Sequence, residues 1–446
     1  MSTGTTTATK SSAREVAYQV VRDVFGPEAR GAQAAFNVRA RRAELDSRDR
    51  GFAAELAYGS IKRRRLIDWE LAPYVGGRDK PLVATIADVL RLGVYQLRFM
   101  SGVDDHAAVS ETVNLAWRHG HRGTAGLVNA VLRRMLADGP RVPERGDFAS
   151  EADYLGTAYS VPTWIAAQFV RALGGASEAA LAGINAAPRA AVRVNTLRSD
   201  TATVATLLAE RGVVTRPSPY VPETLLLESG VVMDDEEGRW AMQGEAAAIP
   251  VDVLAPLPGE SVLELCSGRG NKTVQIAGRM NDRGSLICVD SDPKKMAVLE
   301  ETLERAGVTV AARVLGDARE AAADLCVDAV LLDAPCSGSG VLGRHPEARW
   351  RKRPEDGAHL AQTQAALLRA AALRTAPGGR LVYGVCSLDA REGVEIVDAF
   401  LASGAAFART PLPARYGTFA RNGDLIVPPG IDGRDGFYIA SLARLA

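Results

Sequence analysis

The sequence predicts an all-helical N-terminal domain, a small mixed α/β segment, and a C-terminal α/β domain whose mostly parallel sheet carries helices on both faces. Three observations predict this. Residues 13–140 place apolar side chains at helical spacing, as in VATIADVLRLGVYQLRFM, where Ile86, Val89, Leu90, Val94 and Leu97 share one face, and again in LVNAVLRRML. A run rich in Pro, Gly and charge then breaks the pattern, and residues 141–153 read as a linker. From residue 236 to the end, the strand candidates SVLEL, GSLICVD, ARVLGD, AVLLD and GRLVYGVC alternate with helical segments such as PKKMAVLEETLERAG. Between these parts, residues 154–235 mix a helix with the short strands AVRVN and TLLLE and read as a bridging subdomain, while residues 1–12 read as a disordered Thr/Ser-rich tail.

Bulk properties narrow the function. With 446 residues, 47% hydrophobic and 24% charged, the chain can bury more than one core. It lacks both a membrane-length apolar run and an apolar segment after MSTGTTTATKSSAR, so a cytoplasmic protein with no membrane partner is expected. Five cysteines, Cys266, Cys288, Cys326, Cys336 and Cys386, are an odd number without a CxxC pair, which argues against a disulfide framework and a zinc knuckle, and no metal is expected. Net charge is zero overall, but residues 1–140 hold 21 Lys/Arg against 15 Asp/Glu. That excess suits a polyanion, although a solvated basic helix face would produce the same count.

In an open parallel sheet, ligands bind in the crevice at the carboxyl ends of the strands, and every predicted strand here ends in polar residues. CSGRGNKT (Cys266–Thr273) follows the first, and the others end at Asp290, Asp317, Asp333 with Cys336, and Cys386. Gly268 and Gly270 form an incomplete glycine fingerprint, because Thr273 stands where a third glycine belongs. Asp290, 20 residues beyond Gly270, has the spacing of an acid that accepts from ribose hydroxyls, so the ligand should carry a nucleoside. Nicotinamide and S-adenosylmethionine both do. Two strand-end thiols separate them: hydride transfer needs no thiol, whereas methylating carbon-5 of a pyrimidine needs a thiolate to add at carbon-6 and a second group to remove the carbon-5 proton.

The motifs DAPCSGSGVLGRHPEARWR, GVCSLDAREGVEIV and DGFYIA, with ARxxAYQVV, LDSRDRGFAAELAYGSIKRRRLIDW and LVNAVLRR in the first part, closely resemble the RsmB/Fmu (Sun) family of RNA cytosine carbon-5 methyltransferases. The resemblance covers nearly all of the chain beyond the tail. It implies a NusB-like RNA-binding domain, a Rossmann-like methyltransferase domain, S-adenosylmethionine as cofactor and small-subunit rRNA as partner; a monomer is expected. It also implies roles: Cys386 as nucleophile, Cys336 as the thiol assisting release, Asp333 beside the target base and the cofactor, and Cys266, Ser267, Gly268, Arg269, Gly270, Asn271, Lys272, Asp290 and Asp317 around the cofactor. The chain departs from the family where CSGRGNKT replaces CAAPGGKT, QGEAA replaces QDEAS and YGVCS replaces YSTCS, and the first of these bears on cofactor affinity.

Lys62, Arg63, Arg64 and Arg65 are candidates for phosphate contact, as are Arg344, Arg349 and Arg351 around Trp350. Cys288 and Cys326 read as small core side chains. Two other functions stay open: a catalytically silent RNA-binding assembly factor, suggested by the altered loop, and a small-molecule methyltransferase, which would leave the basic domain without a task.

Overall fold

The computed structural model describes residues 12–76 and 82–446, so the expected N-terminal tail lies outside the described residues except for Ser12. The chain forms two compact units. The first ends at Ala167 and also takes in Arg344–Arg351; the second comprises Gln168–Gly343 and Lys352–Ala446.

The first unit is helical: α1 (Ala13–Phe25), α2 (Ala32–Arg42), α3 (Ser47–Lys62), α4 (Arg64–Val75), α5 (Ala84–Phe99), α6 (Asp105–His119), α7 (Arg122–Asp138) and α8 (Glu151–Ala158). Side-chain caps start several of them. Ser12, Asp46 and Asp104 accept from the backbone N–H groups of Glu15, Asp49 and Ala107 at 3.3, 2.8 and 2.9 Å. The periodic residues then meet in one core in which Val16, Val20, Leu56, Ile61, Val89, Leu90, Val128 and Leu132 are buried. Each such side chain contributes roughly 1.5–3 kcal/mol.

Two segments differ from the sequence reading. The expected linker is docked, because it carries aromatic and cationic anchors: Arg141 lies 4.0 Å over the Trp69 ring, and Phe148 packs against Trp69 and Tyr154. The segment Arg344–Arg351, expected with the α/β domain, belongs to the helical unit, where Trp350 packs on its core and donates from Nε1 to the Ile61 carbonyl at 2.8 Å.

In the second unit, α9 (Thr163–Leu173, shared with the first), α10 (Ser177–Gly183) and α11 (Thr201–Glu210) accompany a four-stranded antiparallel sheet. Its strands β1 (Ala191–Val194), β2 (Val214–Pro217), β3 (Thr224–Ser229) and β4 (Trp240–Met242) run in the order β2-β3-β1-β4. After α12 (Glu245–Leu254), the large sheet begins with β5 (Ser261–Leu265), α13 (Asn271–Arg279), β6 (Ser285–Asp290), α14 (Pro293–Ala306), β7 (Ala311–Leu315) and β8 (Val327–Asp333). The short α15 (Ala348–Arg351) precedes α16 (Pro354–Arg374), β9 (Thr375–Val385), α17 (Val394–Ala402), β10 (Phe407–Arg409), β11 (Ala420–Arg421), β12 (Asp424–Val427) and β13 (Phe437–Arg444). The order is β11-β12-β13-β9-β8-β5-β6-β7, with β10 also on β13. Strands β9, β8, β5, β6 and β7 are mutually parallel, and β13 continues the sheet antiparallel to β9. From β5 the chain moves first to β6 and β7, then back across to β8 and β9, which makes the β5/β8 junction the switch point where a ligand crevice opens.

Candidate active site

Beyond β5 the backbone turns sharply. Cys266, Gly268 and Gly270 all have positive φ, +62°, +62° and +90°. At Gly270 a Cβ would lie 2.4 Å from Leu299 Cδ1, so glycine is required; at Gly268 a Cβ would meet nothing within 4 Å, so this part of the loop faces open space. Buried Asp290, at the end of β6, holds the turn by accepting from Gly268 N–H and Asp292 N–H, both at 2.9 Å. Each carboxylate oxygen retains a second lone pair for a ribose hydroxyl. Half-buried Asp317 is engaged by Arg319, whose guanidinium pulls its carboxyl down to about 2. Burial pushes the Cys266 thiol up to about 12, so this cysteine is a neutral part of the wall. Ser267 is buried, with its N–H on the Val289 carbonyl at 3.0 Å, while Arg269 and Asn271 are exposed. An open glycine loop with a carboxylate at the next strand end fits an adenosyl cofactor.

Four of the sequence-derived residues come together at the ends of β8 and β9. Asp333 closes β8 opposite Gly384, and Ala334 N–H donates to the Gly384 carbonyl at 2.9 Å, which keeps the two strand exits side by side. Cys336 and Cys386 consequently meet with their sulfurs 3.3 Å apart. Contact with the Cys386 sulfur and burial push the Cys336 thiol well up, so Cys336 keeps its proton at neutral pH. Lys272, in the first turn of α13, places Nζ 2.6 Å from Asp333 Oδ2. Burial works against its ammonium, but Asp333 outweighs burial and the Lys272 pKa is raised.

Sequence reasoning missed two buried carboxyls. Glu264 in β5 accepts from Thr273 Oγ1 at 2.5 Å, and burial pushes its pKa up to about 7. Glu392, six residues after Cys386, is bonded to the loops of both thiols. Its place inside GVCSLDAREGVEIV was the one available signal.

Comparison with known proteins places this geometry. The family model described as 16S rRNA methyltransferase RsmB/F matches residues 251–443, that of the NusB family matches 11–137, and the RsmF/B-like ferredoxin-like domain matches 161–234. The ribosomal RNA small subunit methyltransferase B of Thermus thermophilus is 35% identical over 91% of this chain and 91% of its own. The chain belongs to the RsmB/F family. The probable ribosomal RNA small subunit methyltransferase B of Bacillus subtilis is 30% identical over 90% of this chain and 92% of its own. Among solved structures, PH0851 superposes with a TM-score of 0.78 at 26% identity, covering 96% of this chain and 98% of that one. The helical unit is thus a NusB domain, the small sheet is the ferredoxin-like domain of RsmB/F enzymes, and the large sheet is their Rossmann-like domain.

The basic residues of this RsmB/F chain sit differently from expectation. Arg349 is fully buried and donates to the carbonyls of Lys62 and Ser160 at 3.3 and 3.2 Å, and burial pulls its pKa down to about 9. A guanidinium without exposed surface cannot meet a phosphate. Lys62 is also buried, with its pKa pulled down to about 8 by burial and by Arg349. Arg63 and Arg64 lie over the rings of Phe99 and Phe25, and Arg65 binds Asp153 at 2.6 Å with Thr163 and the Val161 carbonyl. The run therefore makes structural contacts, with Lys62 buried and Arg63, Arg64 and Arg65 half-buried. Arg351 is exposed yet donates to the Val24 carbonyl at 2.7 Å, and Arg344 is half-buried. Arg349→Ala is expected to destabilise the protein by about 1–3 kcal/mol, the cost of leaving buried carbonyls unmatched. Replacing Lys62–Arg65 by alanine should cost more. Thermal unfolding measures both, and unchanged stability would return these side chains to the RNA surface.

Proposed function

We propose that the protein is an S-adenosylmethionine-dependent methyltransferase of small-subunit rRNA that methylates carbon-5 of a cytosine through a covalent bond from Cys386 to carbon-6. The observation that carries this reading is the 3.3 Å contact between two thiols at adjacent strand ends, beside the Lys272–Asp333 pair and the glycine loop. S-adenosylmethionine supplies an electrophilic methyl group in that crevice. The protein's own residues make the ring able to accept it. Addition of the Cys386 thiolate to carbon-6 moves electron density to carbon-5 and to the ring nitrogen, which takes up a proton from solvent, and Asp333 accepts from that N–H and from the amino group of the base. Once the Cys386 sulfur is tied up in the carbon–sulfur bond, Cys336 loses the neighbour that most strongly raised its pKa, gives its own proton to solvent, and as a thiolate takes the carbon-5 proton. Its removal expels Cys386. The base must leave its stack for both faces to be reached.

For the RNA backbone, Arg41, Arg42 and Arg48 are exposed and make no ion pair among the described residues, whereas Lys62 is buried and Arg63, Arg64 and Arg65 are half-buried, which favours the exposed three. No helix among the described residues is long and apolar enough to cross a membrane, and the reading is of a cytoplasmic monomer acting on rRNA.

Bisulfite sequencing of 16S rRNA from cells with and without the gene tests the proposal. One cytosine that is protected only when the gene is present is the expected result, and an identical pattern in both would remove cytosine from the assignment. Asp290→Ala is expected to weaken S-adenosylmethionine binding by about 1.5–3 kcal/mol through lost charge-assisted bonds and a loosened loop. Calorimetry on the folded variant measures this; wild-type affinity would move the ribose elsewhere.

A further inference from the structure

One buried carboxylate joins both thiol loops. Glu392 lies in the turn between β9 and α17 and is 0% exposed. Its Oε1 accepts from the backbone N–H of Ser337 at 2.7 Å and from Gln364 Nε2 at 3.2 Å. Its Oε2 accepts from the hydroxyls of Ser337 and Ser387. Ser337 follows Cys336 and Ser387 follows Cys386, so the same carboxylate is bonded to the residue after each thiol. Further bonds tighten the junction. The Ser337 and Ser387 hydroxyls are 3.0 Å apart, Gly340 N–H donates to the Cys386 carbonyl at 3.0 Å, and Leu388 N–H donates to Ser339 Oγ at 2.8 Å. Gln364 on α16 also donates to the carbonyl of Pro335, the residue before Cys336, at 2.8 Å.

We propose that Glu392 is a positioning residue for the two-thiol reaction: by bonding to the serines that follow Cys336 and Cys386, it holds the two sulfurs in contact. A carboxylate is the side chain suited to this task. It only accepts, and its two oxygens here take four donors without leaving either oxygen bare. An amide in its place turns one oxygen into a donor that faces other donors, so at least one link must open. Loss of both serine hydroxyls cuts the same links while leaving the carboxylate in place. The inference rests on the reading that both thiols act, but the contact itself can be measured without methylation.

The experiment uses the full-length protein and dibromobimane, a short reagent that alkylates one thiol and then bridges to a second within reach. Peptide mass mapping follows the bridge between Cys336 and Cys386. In the wild type, bridging should follow first alkylation rapidly. In Glu392→Gln, and in the Ser337→Ala/Ser387→Ala double variant, bridging should slow by about tenfold or more, and turnover on rRNA should fall about 10–100-fold with KM for RNA unchanged, the scale of loss that a displacement of about 1 Å produces. The first alkylation of Cys386, measured with Cys336→Ala added, should keep its rate, which a general loss of structure would not allow. Should Glu392→Gln fail to fold, the double serine variant reads the same links. Bridging at the wild-type rate in the folded variants overturns the proposal. Slowed bridging in the variants, with wild-type protein that leaves no carbon-5 methyl on RNA, supports Glu392 and overturns the reaction assigned to the thiols.

Discussion

Cys386→Ser is expected to abolish methylation while RNA and cofactor binding stay near wild type, and Cys336→Ala is expected to trap the protein on its RNA. Serine in place of Cys386 keeps the shape of the loop but offers a hydroxyl that is not ionised at neutral pH, so nothing adds to carbon-6 and no covalent species accumulates. Cys336→Ala leaves the nucleophile in place and removes the thiol 3.3 Å from it. Addition and methyl transfer should proceed, but the carbon-5 proton then has no acceptor and the adduct persists. A denaturing gel should show protein shifted in mass by the attached RNA, and adding Cys386→Ser should remove the shift. The elevated Cys336 thiol fits this order of events, because the proton stays on Cys336 until Cys386 is committed to the base. Normal turnover by Cys336→Ala, or an adduct that survives loss of Cys386, would mean that the two roles are exchanged or absent.

The site was legible in the sequence because strand ends are local. An apolar run that stops at Asp333 or Cys386 marks a carboxyl end, and parallel sheets gather such ends along one edge. The positions of Asp290, Asp333, Cys336 and Cys386 follow from that rule, although the loop-holding bonds of Asp290 do not. Residues whose partners are distant in sequence were not legible. Lys62–Arg65 reads as an exposed basic face, since helical periodicity says nothing about what covers a helix end. Here the cover comes from residues 95 to 98 positions away, such as Ser160 and Thr163, and from Arg349, 287 positions away. Glu392 was missed for the same reason, because its bond to Ser337 spans 55 positions and an acid in DAREG looks like an ordinary turn residue. The docking of the linker was not legible from composition: its Pro and Gly mark an irregular segment, whereas Arg141 and Phe148 decide that it docks.

Asp333→Asn is expected to lower the methylation rate by about 10²-fold or more, the scale seen when a positioned proton-handling group is lost. Two losses combine in this variant. The side chain keeps its shape but no longer offers a full carboxylate to the edge of the base, where one oxygen must serve while Oδ2 remains on Lys272 at 2.6 Å. Lys272 also loses the charge that offsets its burial. In the wild type, burial lowers the Lys272 pKa, Asp333 raises it, and the balance is upward, so the ammonium survives throughout the working range. With asparagine the burial remains and the compensation goes, so the ammonium should titrate at a lower pH. The variant's residual rate should therefore fall at a lower pH than that of the wild type. A positive charge beside the base stabilises the negative charge that builds on the ring during thiolate addition, so with that charge weakened adduct formation in a Cys336→Ala background should slow in step with turnover. Cofactor affinity should change less than rate, because the glycine loop and Asp290 are untouched. Equal slowing of adduct formation and turnover would place the pair at the addition step. Slowing of turnover alone would place Asp333 after the carbon–sulfur bond has formed, and a wild-type rate would leave the Lys272–Asp333 pair as a support for α13 with no part in the chemistry.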